Sequence, residues 1–209
     1  MSGETGTPQR LVCFGNSITA GKREPEHKRW TALLQQELEQ IAPSRWEVYN
    51  RGVPGETCRD GLARFEKDIA PMLPATVLIE FGINDCSVLE GRQIPRVGLA
   101  DFEAVIHELV RLVRAEGGVP VLLTSHPVRP AISDPDGQFS QRLEGYQNTI
   151  RCVAAYGTSP LIDIERGFAA CVKGEHLNED GVHLSRAGHA RYASVVLEGL
   201  RAVVSIGIP

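Results

Sequence analysis

The chain has 209 residues, 42% of them hydrophobic and 23% charged, with a formal net charge of -4. That is the composition of an ordinary globular protein, long enough to bury a core without disulfides or metals. The acidic balance gives no electrostatic case for a nucleic-acid partner, which requires clustered Lys and Arg, and no run approaches the ~18 apolar residues of a membrane span.

Met1 to Arg10 is polar and Gly/Thr-rich, without the apolar stretch of a signal peptide. Residues 1–9 read as a flexible tail ahead of a single domain, 1–209. Leu11–Phe14 is a short apolar strand ending at Gly15. The basic run Lys22–Arg23 and His27–Lys28–Arg29, interleaved with Glu24 and Glu26, reads as a solvated loop and helix start. From Arg29 the period changes: Trp30, Leu33, Leu34, Leu38 and Ile41 fall at helical spacing, and Pro43 stops the helix. Trp46–Tyr49 is a second strand. The turn Arg51–Gly55 leads to one short helix carrying Leu62, Phe65 and Ile69. Thr76–Phe81 is the third strand, with Glu80 expected to pair with a neighbouring cation. Asp101–Ala115 is a helix, Val119–Leu123 the fourth strand, Pro127–Gln138 a Pro/Asp/Gly-rich loop, and Ser140–Tyr156 a helix. Pro160–Ile164 is the fifth strand, and Arg186–Val204 the last helix.

Uninterrupted apolar strands alternating with amphipathic helices predict an α/β fold, a three-layer α/β/α sandwich around a five-stranded, mainly parallel sheet. The five cysteines are odd in number and show no CxxC spacing. Cys13 in a strand and Cys152 in a helix are expected to act as small hydrophobes, which fits reduced thiols and a cytoplasmic location.

In such sheets function sits at the carboxyl ends of the strands. There the chain offers Ser17 after the first strand, Gly52 after the second, Asn84 and Asp85 after the third, and His126 after the fourth. A late loop adds Asp180 and His183. A hydroxyl, a glycine amide, an asparagine amide and a histidine with an acidic neighbour are the parts that acyl transfer needs. Of the remaining residues, Thr57 and Arg59 are expected either to border the site or to serve turn chemistry and the surface, His107 and His189 to be structural, and His176 to reach the mouth. Gly15 and Gly21-Lys22 suggest a phosphate loop, but five residues separate the glycine from the Gly-Lys pair and Arg23 follows, where that loop needs four and a Ser or Thr. The rival reading is a non-enzymatic, flavodoxin-like module that cradles a phosphate or flavin at Ser17–Thr19; it leaves His183 unexplained.

Four blocks in order resemble the SGNH (GDSL) hydrolase family: Gly15-Asn16-Ser17-Ile18-Thr19, Asn50-Arg51-Gly52, Gly82-Ile83-Asn84-Asp85 and Asp180-Gly181-Val182-His183. The run Asn50 to Phe65, with Gly61-Leu62-Ala63-Arg64, is similar to the bacterial lysophospholipase/thioesterase/arylesterase branch. The resemblance implies the flavodoxin-like SGNH hydrolase fold and a serine esterase acting on small esters, with acetyl or short acyl groups, thioesters or lysophospholipids as substrates. It implies Ser17, Asp180 and His183 as catalytic residues, and Ser17, Gly52 and Asn84 as the oxyanion hole. Asn16, Asp85 and His126 are expected to line the pocket. No metal or organic cofactor is needed. The chain departs from the family at Asn16, where the usual block reads Gly-Asp-Ser.

Overall fold

The computed structural model describes residues 7–129, 137–169, 171 and 174–203. Five strands form one sheet in the order β2-β1-β3-β4-β5: β1 Gln9–Gly15, β2 Trp46–Gly52, β3 Thr76–Glu80, β4 Val119–Leu123 and β5 Leu161–Ile162. Every pairing between them is parallel. The helices are α1 Ser17–Ala20, α2 Trp30–Ile41, α3 Cys58–Ala63, α4 Phe65–Asp68, α5 Leu99–Ala115, α6 Phe139–Tyr156, α7 Ile164–Gly167 and α8 Arg186–Val203. Among the described residues no helix is long and apolar enough to cross a membrane.

Helices cover both faces. α2 packs on α8, while α5 packs on α6 and α3. The apolar period explains which side each helix turns inward: Trp30, Leu34 and Leu38 of α2 and Phe102, Ile106, Leu109 and Val113 of α5 are buried at three- and four-residue intervals. Between these layers the strands are apolar on both sides. Leu11 to Phe14, Val77 to Ile79 and Val121 to Leu123 are all fully buried. Edge-on aromatic contacts join β1 to the end of β3, Phe14 with Phe81 at 5.3 Å, and α5 to α6, Phe102 with Tyr146 at 4.9 Å.

Some boundaries differ from the sequence reading. Gln9, assigned to the tail, already belongs to β1, and residues 1–6 lie outside the described residues. β2 runs on to Gly52 because β1 offers it a full parallel register through Gly15↔Gly52. The single helix expected after Gly55 is three pieces, α3, α4 and a 3₁₀ turn Ala70–Met72. The first break falls at Arg64, whose side chain turns back toward the sheet. β5 is shorter than expected: Ile164 opens α7 instead, because the Asp163 carboxylate accepts the Arg166 N–H and caps that helix. Residues 130–136 of the loop and Val204 of the last helix lie outside the described residues. Cys152 is exposed rather than a buried hydrophobe, whereas Cys13 is buried.

The chain leaves β1 to build β2 on one side and returns to build β3 on the other. That reversal opens a crevice at the carboxyl ends of β1 and β3. Leu78 lies at the centre of the sheet beneath it, with no exposed surface. Leu78→Ala is expected to cost roughly 2–5 kcal/mol, read as a lower urea midpoint at unchanged m-value.

Candidate active site

Ser17 is the first residue of α1, two residues beyond the end of β1. Its N–H is one of the unpaired donors at a helix start. Asn16 caps this short helix, its Oδ1 accepting the Ile18 N–H at 2.9 Å. Gly21 closes the helix in the left-handed region, φ 60°.

His183 is delivered from a compact hairpin-like loop. The Asn178 N–H donates to the His183 carbonyl at 2.8 Å, the Ser185 N–H to the His176 carbonyl at 2.9 Å, and Leu177 bridges Leu184 antiparallel. Asp180 sits at the tip. Its Oδ1 accepts the N–H groups of Val182 and His183, both at 2.9 Å, and its Oδ2 lies 2.8 Å from His183 Nδ1. Burial pushes the Asp180 carboxyl up, but those N–H groups and the imidazole outweigh it and bring it down to about 2. An ionised carboxylate only accepts, so Nδ1 carries the imidazole hydrogen and Nε2 presents its lone pair. That lone pair faces Ser17 Oγ at 3.0 Å. Ser17, Asp180 and His183 are thus brought into one hydrogen-bonded line.

Asn84 arrives from the loop after β3. One hydrogen of its amide goes to the Glu56 carbonyl at 2.8 Å, which leaves the other available. Gly52 is packed against the start of the site: a Cβ there would lie 2.2 Å from the Ala20 nitrogen. Its N–H already donates to Asn50 Oδ1 at 2.9 Å, so any bond to a substrate oxygen must share that hydrogen or displace Asn50. A cleft beside the Ser17–His183 pair is lined by Ile18, Gly21, Lys22, Arg23, Leu184 and His189.

The three residues expected to line the pocket are instead buried behind it. Asn16, Asp85 and His126 have no exposed surface. Asp85 is a clip: its oxygens accept the Cys58 N–H at 2.8 Å and the Gly82 N–H at 2.9 Å, holding the Asn84 loop against α3. Burial pushes its carboxyl up, partly offset by those donors. His126 donates from Nε2 to the Val182 carbonyl at 2.7 Å, directly under the loop that carries His183. His176 is also buried rather than at the mouth, its Nε2 on the Pro127 carbonyl at 2.9 Å. His107 is exposed on α5. His189 does have the expected structural role, because its Nδ1 accepts the Trp30 N–H at 3.2 Å at the start of α2, but it also lines the cleft. Thr57 caps α3, and Arg59 pairs with Asp101 on the surface.

The expected cation at Glu80 is missing. Among the described residues this carboxyl takes a hydrogen from Asn16 Nδ2 at 3.3 Å, is bonded to Thr19 Oγ1 at 3.1 Å, and forms no salt bridge. Burial pushes it up to about 8 against those two contacts. Sequence reasoning also missed Arg23, read as a solvated charge, whose Nη1 lies 2.9 Å from Asp180 Oδ2. It missed Asn50 and Arg64 although both stand in the recognised blocks. Asn50 Nδ2 donates to the Thr19 carbonyl at 2.8 Å and so ties β2 to α1. Arg64 donates to the carbonyls of Gly15 and Arg51 and pairs with Glu56 at 2.7 Å, which ties β1, β2 and the Asn84 partner together.

Comparison with known proteins settles the class. The model of the GDSL-like lipase/acylhydrolase family matches residues 13–191. The chain belongs to that family. It is a carboxylic ester hydrolase with the SGNH fold. It is 28% identical to an acetylxylan esterase from Geobacillus stearothermophilus over 92% of this chain and 94% of the relative. The crystal structure of that enzyme superposes with a TM-score of 0.80 at 25% identity, covering 99% of this chain and 97% of the other. Thioesterase 1/protease 1/lysophospholipase L1 of Escherichia coli is 30% identical over 93% of this chain and 85% of its own length. The lipoprotein YqeF of Bacillus subtilis is 25% identical over 91% and 87% respectively.

The buried histidines have a consequence for stability. Burial pushes His126 down to about 3, more than its bond to Val182 raises it, and burial likewise holds His189 down to about 4. An unfolded histidine titrates near 6.5. Below that pH the unfolded chain takes up protons that the native chain refuses, so stability falls with pH, by up to about 1.4 kcal/mol per unit for each group. His126→Gln keeps a donor for Val182 without the titration. Urea unfolding from pH 7 to pH 4 should therefore show a shallower loss of stability in the variant than in the wild type.

Proposed function

We propose that this hydrolase is a serine esterase that works through an acyl-enzyme on Ser17. The observation that carries the reading is the line from Asp180 Oδ2 to His183 and on to Ser17 Oγ, with contacts of 2.8 and 3.0 Å. A hydroxyl is a weak nucleophile until a base takes its proton. His183 Nε2 accepts that proton as Oγ attacks the ester carbonyl, and Asp180 stabilises the imidazolium that forms. The developing oxyanion sits against the Ser17 N–H and the free amide hydrogen of Asn84. The Gly52 N–H joins them once it shares its bond with Asn50. His183 then protonates the leaving group, and water repeats the cycle on the acyl-enzyme.

We take acetyl or short acyl esters as the preferred substrates. The acetylxylan esterase relative supports acetyl esters, and the thioesterase/lysophospholipase relative supports thiol and lysophospholipid leaving groups as well. We read the chain as one catalytic domain, supported by the membership of all five strands in one sheet. A cytoplasmic location is supported by five free cysteines. With a lipoprotein among its relatives, cell fractionation is the direct check, and recovery in the membrane fraction would overturn that location.

Hydrolysis of p-nitrophenyl acetate by the wild type beside Ser17→Ala tests the mechanism. Activity that disappears in the variant supports it; equal rates in both would sink it. Turnover is expected to fall steeply from acetate to octanoate esters. Asn84→Ala should lower kcat roughly 10²–10³-fold as an oxyanion donor is lost, and unchanged turnover would remove Asn84 from the mechanism.

A further inference from the structure

We propose that Glu80 is a positioning residue for Ser17: its carboxyl, wedged between the Asn16 amide and the Thr19 hydroxyl, locks the turn that presents the nucleophile. The inference rests on the reading of Ser17 as nucleophile.

Glu80 ends β3 directly alongside Gly15, its register partner in β1. Gly15 makes the approach feasible: a Cβ there would lie 2.5 Å from the Glu80 carbonyl oxygen and 2.4 Å from Thr19 Oγ1. Glu80 is 1% exposed, and Asn16 and Thr19 are completely buried. The Asn16 side chain is therefore clamped at both ends, by the Ile18 N–H on Oδ1 and by Glu80 on Nδ2. Thr19, one helical turn on, is held by the other Glu80 oxygen. Ser17 lies between the two clamped residues. Rotation of either moves Oγ relative to His183, and a displacement near 1 Å can cost on the order of 10² in rate.

The hydrogen bonds also fix where a proton on Glu80 must sit. Asn16 Nδ2 and Thr19 Oγ1 both donate to the carboxyl when it is ionised; when it is protonated the amide can still only donate, so the acid hydrogen sits on Oε2 and the Thr19 hydroxyl turns to accept it. Glutamine reproduces that pattern with its carbonyl toward Asn16 and its amide toward Thr19. Alanine leaves the Asn16 amide and Thr19 hydroxyl buried without partners. An ionised aspartate at position 16 would have no hydrogen to offer Glu80, which gives a physical reason for the asparagine in this chain.

Among the described residues, the surroundings give the carboxylate no compensating charge. Around Glu80 stand Asp85 from the loop after β3 and Tyr192 from α8, neither of them a cation. Arg64, between α3 and α4, is committed to Glu56 and to the carbonyls of Gly15 and Arg51. Burial dominates, pushing the carboxyl up to about 8, so it is protonated at neutral pH. Above that pH the protonated arrangement under Ser17 is lost.

The test compares wild type, Glu80→Gln and Glu80→Ala on p-nitrophenyl acetate from pH 6 to pH 10, with circular dichroism to establish folding and fluorophosphonate labelling of Ser17. Folded Glu80→Ala should lose roughly 10–100-fold in kcat with KM within about twofold, and Glu80→Gln should recover most of that loss. Wild-type turnover should fall above about pH 8, and the fall should be missing in Glu80→Gln. Folded Glu80→Ala with wild-type kcat would overturn the inference. So would a Glu80→Gln profile with the wild-type alkaline fall, which decides the matter alone if Glu80→Ala does not fold. If Ser17 is not labelled and Ser17→Ala stays active, the nucleophile reading fails. If Ser17 is labelled while the Glu80 variants behave as wild type, only this inference fails.

Discussion

The site depends on how the turn between β1 and α1 is held from both sides. A strand end feeding a four-residue helix has little stability of its own, since the first helical turn fixes several dihedrals for one hydrogen bond. Here the stabilisation comes sideways. From β2, Asn50 reaches the Thr19 carbonyl and Thr31 Oγ1, and from β3, Glu80 reaches Asn16 and Thr19. Both contacts need the backbones to lie close, and Gly15 and Gly52 provide that room, since side chains there would meet Glu80 or the α1 backbone at 2.5 Å or less. Two of the sequence blocks that mark the site are therefore packing devices as much as chemical ones.

The opposing half of the site is built on one carboxylate. Asp180 spends Oδ1 on the backbone of its own loop and Oδ2 on His183 and Arg23. The first pair shapes the loop, and the second aims the imidazole. Arg23 is 55% exposed, so its attraction for Asp180 is screened and worth a fraction of a kcal/mol. Its geometric effect is larger, because it joins the loop after α1 to the loop carrying His183 across the cleft. Below, His126 holds the Val182 carbonyl, one residue from the base. The histidine is thus restrained from its own loop, from the first βα loop and from the end of β4.

Periodicity revealed α2, α5 and α6 to within a few residues, because each buries one apolar stripe. The strands β1, β3 and β4 were equally legible, being apolar on both faces. What escaped was set by single side chains acting at a distance in sequence. Asp163 ends β5 by capping α7, and Arg64 ends α3 by turning toward two strand carbonyls; neither choice has a local hydrophobic signal. Glu80 was read as an ion-pair member because a carboxylate in an apolar strand usually needs a cation, and its two partners lie 61 and 64 residues away. Asn16, Asp85 and His126 flank the nucleophile, the Asn84 loop and the His183 loop, yet their side chains point back into the protein. Adjacency in sequence to a functional residue says little about which way a side chain faces.

Polar burial behind the nucleophile has a thermodynamic consequence that runs in two directions. Glu80 retains a proton that the unfolded chain has released, so its contribution is present below about pH 4.5 and is lost as pH rises through about 8. His126 and His189 refuse protons that the unfolded chain binds below 6.5, so they work against the fold as pH falls toward 4 and 3. The same groups that position Ser17 and His183 therefore narrow the pH range over which the fold is most stable. The ion-paired Asp180 adds to the acid loss, since its contribution is present above the ordinary value of 3.8 and is lost as pH falls through about 2. The half of the site behind Ser17, held among the described residues by buried hydrogen bonds to Glu80 without a counter-charge, tolerates protonation changes poorly.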